Sequence, residues 1–341
     1  MRRRASEAGR AVWRSGGRLA AAALFLTARP PDRLSAQGIN NSGALFLVFP
    51  VGARAVGMGQ AAAALEGRGE AAFWNPAGLA TLEQSEFALQ SATLAVGATH
   101  ALTAYFPSHN LGVVGGSVYL VDYGDLDRTD SASNVIGRIS PRNFEVLASY
   151  ATEIAGSFTL GVNYKLVEFI VDCSGDCSNF PSAHAVTHAV DLGGQFALGT
   201  DGALRLGIAV RNIGFRLQVN NRDQADALPA RLVVGALYRV PLPGGAGASL
   251  ADRLDLRLAA DVDSPWGGYG DSQMRLGLDL GYQKLFRVRG GYAFVRDGLS
   301  GPSVGMGVSS GSIGVDLART FLTGSDLVAA NPTFFSFRVV F

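Results

Sequence analysis

The sequence predicts an all-β transmembrane β-barrel of about fourteen antiparallel strands, preceded by an N-terminal plug segment. Three observations carry that expectation: the chain ends on alternating aromatics, it starts on an export signal, and its apolar residues are dispersed by alternation. In the final segment Phe335, Phe337, Val339 and Phe341 share one face of an extended strand, while Ser336, Arg338 and Val340 share the other. A soluble sheet has no obvious reason to end on a bare aromatic. The closing strand of an outer-membrane barrel does, because one face meets lipid and the other the lumen.

The N-terminus reads as a secretory signal peptide. Arg2, Arg3, Arg4, Arg10, Arg14 and Arg18 stand against a single acid, Glu7, and are followed by the apolar run Leu19 to Leu26 and a polar stretch ending Leu34-Ser35-Ala36-Gln37. That run is far shorter than the roughly 20 residues a spanning helix needs. Export without a helical anchor is therefore expected, with cleavage beside Ala36 or Gln37. Residues 1–37 are assigned to the signal, 38–83 to the plug segment and 84–341 to the barrel.

Composition excludes several classes. The chain is 48% hydrophobic and only 17% charged, with 44 Gly, yet it holds no later apolar block of helix length. A net charge of +1 gives no basic field of the kind nucleic-acid binding needs. Only Lys165 and Lys284 are lysines among 29 basic residues, a skew that a coding bias toward Arg explains.

The clearest strands are Phe158 to Leu166, Leu204 to Val210, Leu232 to Val240, Leu254 to Val262, Leu276 to Tyr282, Phe286 to Phe294, Ile313 to Phe321 and Phe335 to Phe341. Leu254, Leu256 and Leu258 alternate with Asp255, Arg257, Ala259 and Asp261, and Leu276, Leu278 and Leu280 alternate with Arg275 and Asp279. A half-buried soluble sheet alternates too, so it is the repetition through most segments that favours a barrel. Connections sort by length in the same way. Tight turns are expected at Pro107 to Asn110, Ala155-Gly156, Gly199 to Gly202, Pro241 to Ser249, Gln283-Lys284 and Ser310-Gly311. Longer loops are expected at Gly124 to Ser140, Asp172 to Ala183, Gly214 to Leu228, Ser264 to Gly270, Asp297 to Ser300 and Thr323 to Ala330, with a short first one near Val96 to Ala98. Short turns on the periplasmic side and long loops outside are the outer-membrane pattern.

Cys173 and Cys177 flank Ser-Gly-Asp, and in an exported chain the pair most simply forms a disulfide at a loop tip. His184 and His188 complete a Cys-x3-Cys-x6-His-x3-His string, so zinc is the alternative, although the central spacer is shorter than the usual dozen. Gly307-Val308-Ser309-Ser310-Gly311 fits a nucleophile elbow, but no helix pattern follows it, so Ser309 is assigned to a strand end and no catalytic residue is expected. Gly244-Gly245-Ala246-Gly247 lacks the strand-to-helix setting of a phosphate loop. Nothing calls for a cofactor.

Ahead of the barrel the chain changes in kind. Phe49-Pro50-Val51-Gly52-Ala53-Arg54-Ala55-Val56-Gly57-Met58-Gly59 is punctuated by glycine, Gln60 to Leu65 is alanine-rich, and Phe73-Trp74-Asn75-Pro76-Ala77-Gly78-Leu79 carries a turn signal that restricts Asn75 to extended geometry. Small residues suit a confined space, so the segment is expected inside the lumen, where protein and water shield irregular backbone from lipid.

The string Pro50 to Gly59, with Arg54, Gly57 and Gly59, together with Asn75-Pro76-Ala77-Gly78-Leu79, resembles the N-terminal signature of the PorV/PorQ family, itself similar to the FadL fatty-acid transporters, whose plug also carries an Asn-Pro-Ala element. Asn212-Ile213-Gly214, Leu228-Pro229-Ala230-Arg231 and the stretch from Leu280-Gly281-Tyr282 to Arg289-Gly290-Gly291-Tyr292 extend the resemblance over nearly the whole mature chain. It implies a fourteen-stranded plugged barrel in the outer membrane, meeting lipid and the barrel-assembly machinery. It further implies a component of type IX secretion that handles secreted proteins with C-terminal signal domains and a surface sortase. The alternatives are FadL-like passive transport of a hydrophobic small molecule, which would move through the plug and exit sideways, and a purely structural barrel.

Overall fold

The computed structural model describes residues 42–95, 97–178, 182–199, 202–219, 225–242, 253–266, 270–283, 285–295, 300–323 and 331–341. The expected signal peptide, Lys284, the centre of the Pro241 to Ser249 turn and most of the loops at Asp297 and Thr323 lie outside the described residues.

Among the described residues fifteen strands follow one another: β1 (Glu86–Leu94), β2 (Gly97–Ser108), β3 (Gly112–Asp122), β4 (Leu126–Thr129), β5 (Val135–Ala155), β6 (Phe158–Gly175), β7 (Ala183–Leu198), β8 (Leu204–Gly214), β9 (Arg231–Val240), β10 (Leu254–Pro265), β11 (Gln273–Tyr282), β12 (Phe286–Val295), β13 (Gly301–Ser310), β14 (Ile313–Thr320) and β15 (Thr333–Val340). Successive strands pair antiparallel, with one exception: β3 pairs β5, and β4 pairs β5 alone. The last strand returns to the first, Phe337 opposite Leu89 and Val339 opposite Phe87, which closes the ring. Setting β4 aside, the ring holds fourteen of the fifteen strands, the number the patterning predicts. No described helix is long and apolar enough to cross a membrane.

Alternation sets the two faces of the wall. Leu278 and Leu280 are 40% and 37% exposed, while Asp279 between them is 1% exposed. In a soluble sheet the charge would face water; here the aliphatic side chains form the outer surface and the charges turn inward, as lipid on the outside requires. Phe335 and Phe341 stand on that outer surface, Phe337 and Val339 are half-buried, and Phe334 and Ser336 point into the barrel.

The wall is uneven. β5 runs 21 residues and β6 18, against 9 for β1 and 8 for β15. At about 3.3 Å per residue, β5 is more than twice as long as either β1 or β15. The structure thereby corrects two expected loops. Much of Gly124 to Ser140 is strand, with Leu126 opposite Ile139 and Asp127 opposite Arg138, and Asp172 to Gly175 extends β6. The charges that suggested a loop are cross-strand partners: Arg138 lies 3.5 Å from both Asp125 and Asp127. Cys173 and Cys177 are joined by a disulfide at the top of this tall wall, with Cα atoms 6.0 Å apart.

Residues 42–85 form no strand. Leu45–Val48, Gly69–Phe73 and Pro76–Thr81 are 3-10 turns, and Ala53–Gly57 is a single turn of α-helix. Extended links join them because Pro50, Gly52 and the Asn75-Pro76 pair each interrupt a helical run.

Candidate functional site

The N-terminal segment and the polar face of the wall are joined by hydrogen bonds around most of the ring. Ala53 N–H donates to Ser336 Oγ on β15 at 2.9 Å, and Gly59 N–H to Ser303 Oγ on β13 at 3.0 Å. Asp261 on β10 accepts from the backbone of both Ala62 and Ala63, at 2.6 and 2.8 Å. Gln195 on β7 donates to the Ala63 and Leu65 carbonyls, Asn163 on β6 to the Ala72 carbonyl and Glu86 on β1 accepts from Gly69 N–H. An irregular backbone away from water needs such partners for its donors and acceptors; the wall supplies them from side chains because its own backbone groups are committed to the ladder.

The motif residues take definite places in that arrangement. Asn75 caps the Pro76–Thr81 turn, its Oδ1 accepting from Ala77 N–H at 3.1 Å, while its Nδ2 donates to the Ala63 carbonyl at 2.6 Å and the Gly194 carbonyl at 3.2 Å. Pro76 stands at the first position of the turn, where its missing N–H costs nothing. Gly78 allows the turn to approach Leu65; a Cβ there would fall under 3.0 Å from the Leu65 carbonyl oxygen. Gly59 has φ 63°, the left-handed region in which glycine is unstrained, as the chain turns away from α1 (Ala53–Gly57). Arg54 is buried, donates to the Glu66 carbonyl at 2.8 Å and lies 3.8 Å from Glu70.

Three buried ion-pair groups brace the wall. Asp263 is shared by Arg231 at 2.6 Å, Arg275 at 2.9 Å and Arg211 at 3.4 Å, and Arg211 and Arg275 also flank the Trp74 ring at 5.6 and 5.8 Å. Lys165 joins Glu145 at 2.8 Å and Asp191 at 2.9 Å and donates to Asn212 Oδ1. Asp316 accepts from Arg68 at 2.5 Å and Arg289 at 2.6 Å. Arg211 ties one of these groups to the segment directly, through the Phe73 carbonyl at 2.8 Å. Desolvated charges are tolerated only when paired in this way. The Asn212 and Arg231 strings that carry the family resemblance therefore sit in bracing positions. Sequence reasoning placed the charges on the inward face but did not find these groups.

The other candidates disperse. Ser309 lies near the end of β13 and accepts from Arg338 at 2.9 Å, whereas His184 bonds Glu168 at 2.5 Å and His188 bonds the Tyr164 hydroxyl at 2.6 Å. No group of three or more His, Cys, Asp or Glu able to hold a metal occurs among the described residues.

No protein-family model matches the chain. No curated protein matches it either, so the PorV/PorQ resemblance rests on the sequence strings alone. Solved structures do match. The toluene transporter TbuX of Ralstonia pickettii aligns with 85% of this chain and 98% of its own at 13% identity and a TM-score of 0.59. The monoaromatic hydrocarbon channel CymD aligns over 85% and 97% at 15% identity with a TM-score of 0.60. A FadL homologue of Pseudomonas aeruginosa aligns over 86% and 98% at 13% identity with a TM-score of 0.54. At these identities the likeness is one of fold: the chain is a closed antiparallel β-barrel similar in architecture to these structures.

Proposed function

We propose that this chain is a passive outer-membrane channel for small hydrophobic molecules, with residues 42–85 acting as the plug of its lumen. The observation that carries this is the end-to-end fold similarity to TbuX and CymD, a toluene transporter and a monoaromatic hydrocarbon channel, which includes the region ahead of the barrel. The bonding pattern supports the plug: one segment meets inward-facing side chains from β1, β6, β7, β8, β10, β13 and β15. A greasy solute gains little from an open aqueous pore, so a filled barrel with narrow apolar gaps suits it better than a porin would. Barrel termini and tight turns share one end, which we assign to the periplasm, with the tall β5–β6 wall outside.

The secretion reading rests on the PorV/PorQ strings and places cargo on the outer loops. The first of those loops is largely folded into β4 and β5, which leaves less free chain to receive a partner than the sequence promised. Uptake of labelled toluene by cells with and without the protein tests the proposal. Faster uptake with the protein is expected; equal uptake would remove the channel reading.

A further inference from the structure

The wall is not equally close to the N-terminal segment on all sides. Gly161, Gly193, Gly207, Gly277, Gly291 and Gly305, on β6, β7, β8, β11, β12 and β13, each face the segment so closely that an added Cβ would meet atoms of residues 57–77 at 3.0 Å or less. At five of the six, backbone lies against backbone, and at Gly193 the wall meets the Asn75 amide oxygen and the Pro76 ring. Backbone cannot rotate aside as a side chain can, so the segment is fixed on that flank. β1 holds no glycine, and none of the described glycines of β2 and β3 makes such a contact with it.

Two gaps lie on that other flank. Two cavities, each of about 10 Å³ and so roughly one water in size, border β1. The first is mostly apolar, with Val51, Ala92, Ala101 and Phe334 among its lining. The second lies between Glu86, Glu70, Arg68 and Arg338. Gln90 lines both. Together they follow the inward face of β1 from Glu86 to Ala92, about 20 Å of strand at 3.3 Å per residue. Gln90 is 4% exposed and Glu86 2%, and among the described residues Gln90 Oε1 and Glu86 Oε2 have no hydrogen-bond donor. A buried acceptor without a donor is costly, and a ligand that brings one recovers that cost.

We propose that solute moves along the seam between β1 and the segment, and that Gln90 accepts a hydrogen bond from a solute hydroxyl there. The preferred class is then a small neutral aromatic carrying one hydroxyl: as the β1 side opens, the ring passes against the apolar upper lining of Val51, Ala92, Ala101 and Phe334, and the O–H meets the acceptors below. This deepens the channel reading and rests on it. It differs from passage through the plug interior, because the plug stays seated on its glycine flank while only the β1 side opens.

The test is uptake of labelled p-cresol and toluene by cells making wild-type or variant protein, with heat-modifiable gel migration to confirm assembly. Ala92→Leu should slow both solutes about tenfold, and Ala92→Gly should speed both, because a single side chain narrows or widens a gap of one-water size. Gln90→Leu should lower the p-cresol to toluene uptake ratio about tenfold, the size of one net hydrogen bond. An assembled Ala92→Gly protein with unchanged uptake would overturn the seam. An unchanged ratio in Gln90→Leu would overturn the hydroxyl preference. Wild-type protein that carries neither solute would remove the channel reading itself, and with it this inference.

Discussion

Replacing Gly207 by valine should expel the segment from its seat, and the structure sets the size of the effect. A Cβ at this inward position on β8 would fall under 3.0 Å from the Ala63 carbonyl oxygen and the Ala63 carbonyl carbon. Strand pairing fixes the β8 backbone to Phe196, Gln195 and Gly194 on one side and Ala236, Gly235 and Val234 on the other, so Ala63 must give way. Its carbonyl accepts from Asn75 at 2.6 Å and Gln195 at 3.1 Å, and Asp261 holds the Ala62 and Ala63 N–H groups at 2.6 and 2.8 Å. With about 1 kcal/mol for each neutral bond and about 2 kcal/mol for each bond to the carboxylate, the loss is on the order of 6 kcal/mol. That shifts the docked-to-undocked ratio by about four powers of ten. Trypsin reads the outcome, because Arg54 is buried and Arg68 is held by Asp316 while the segment is docked. Detergent-purified Gly207→Val protein should be cut after Arg54 and Arg68 under conditions in which wild type resists. Gly290→Val is the control, since a Cβ at Gly290 meets nothing within 4 Å. Wild-type resistance in Gly207→Val would refute the claim that close glycine contact holds the segment.

Other perturbations probe other supports. Lys165→Met strands Glu145 and Asp191, both nearly inaccessible, and should cost about 3–5 kcal/mol in denaturant unfolding, with a smaller cost for a triple variant that also replaces the two acids by isosteric amides. Cys173→Ser with Cys177→Ser opens only a five-residue ring, so the loss should stay below about 3 kcal/mol, with increased proteolysis near residue 177 and an unchanged barrel unfolding midpoint. In that cysteine-free background Asp127→Cys should react with an impermeant thiol reagent on intact cells and Ser157→Cys, in the opposite turn, should not; the reverse pattern would invert the orientation.

The barrel was legible in the sequence because lipid forces a period of two on every strand, and Leu254-Asp255-Leu256-Arg257-Leu258 carries that period without interruption. Strand heights were not. Asp125, Asp127 and Arg138 have a loop-like composition, and only the structure reveals that Arg138 on β5 pairs with Asp127 on β4 and with Asp125 just before it. The segment's irregular character followed from Pro50, Gly52 and Asn75-Pro76, whereas the purpose of Gly161, Gly207 and Gly277 could not follow, because each answers to backbone more than a hundred residues away or, for Gly161, some 85. Likewise Lys165 looked like one of two survivors of a bias toward Arg, yet it sits between two buried acids, with Asn212 accepting its third contact. Long-range partners of this kind leave no local signal in a single sequence.

The central claim is that the chain passes small hydrophobic molecules and does not deliver secreted proteins. One strain set decides it: a deletion strain complemented with wild type, with Asn75→Ala/Pro76→Ala, or with a shortened Gly124 to Ser140 region, measured for labelled toluene uptake and for surface delivery of proteins with C-terminal signals. The account predicts that deletion slows uptake and leaves delivery intact, that wild type restores uptake, and that the Asn75/Pro76 variant alters it by disturbing the segment's cap. Loss of delivery on deletion or loop shortening, with uptake unchanged throughout, would contradict it.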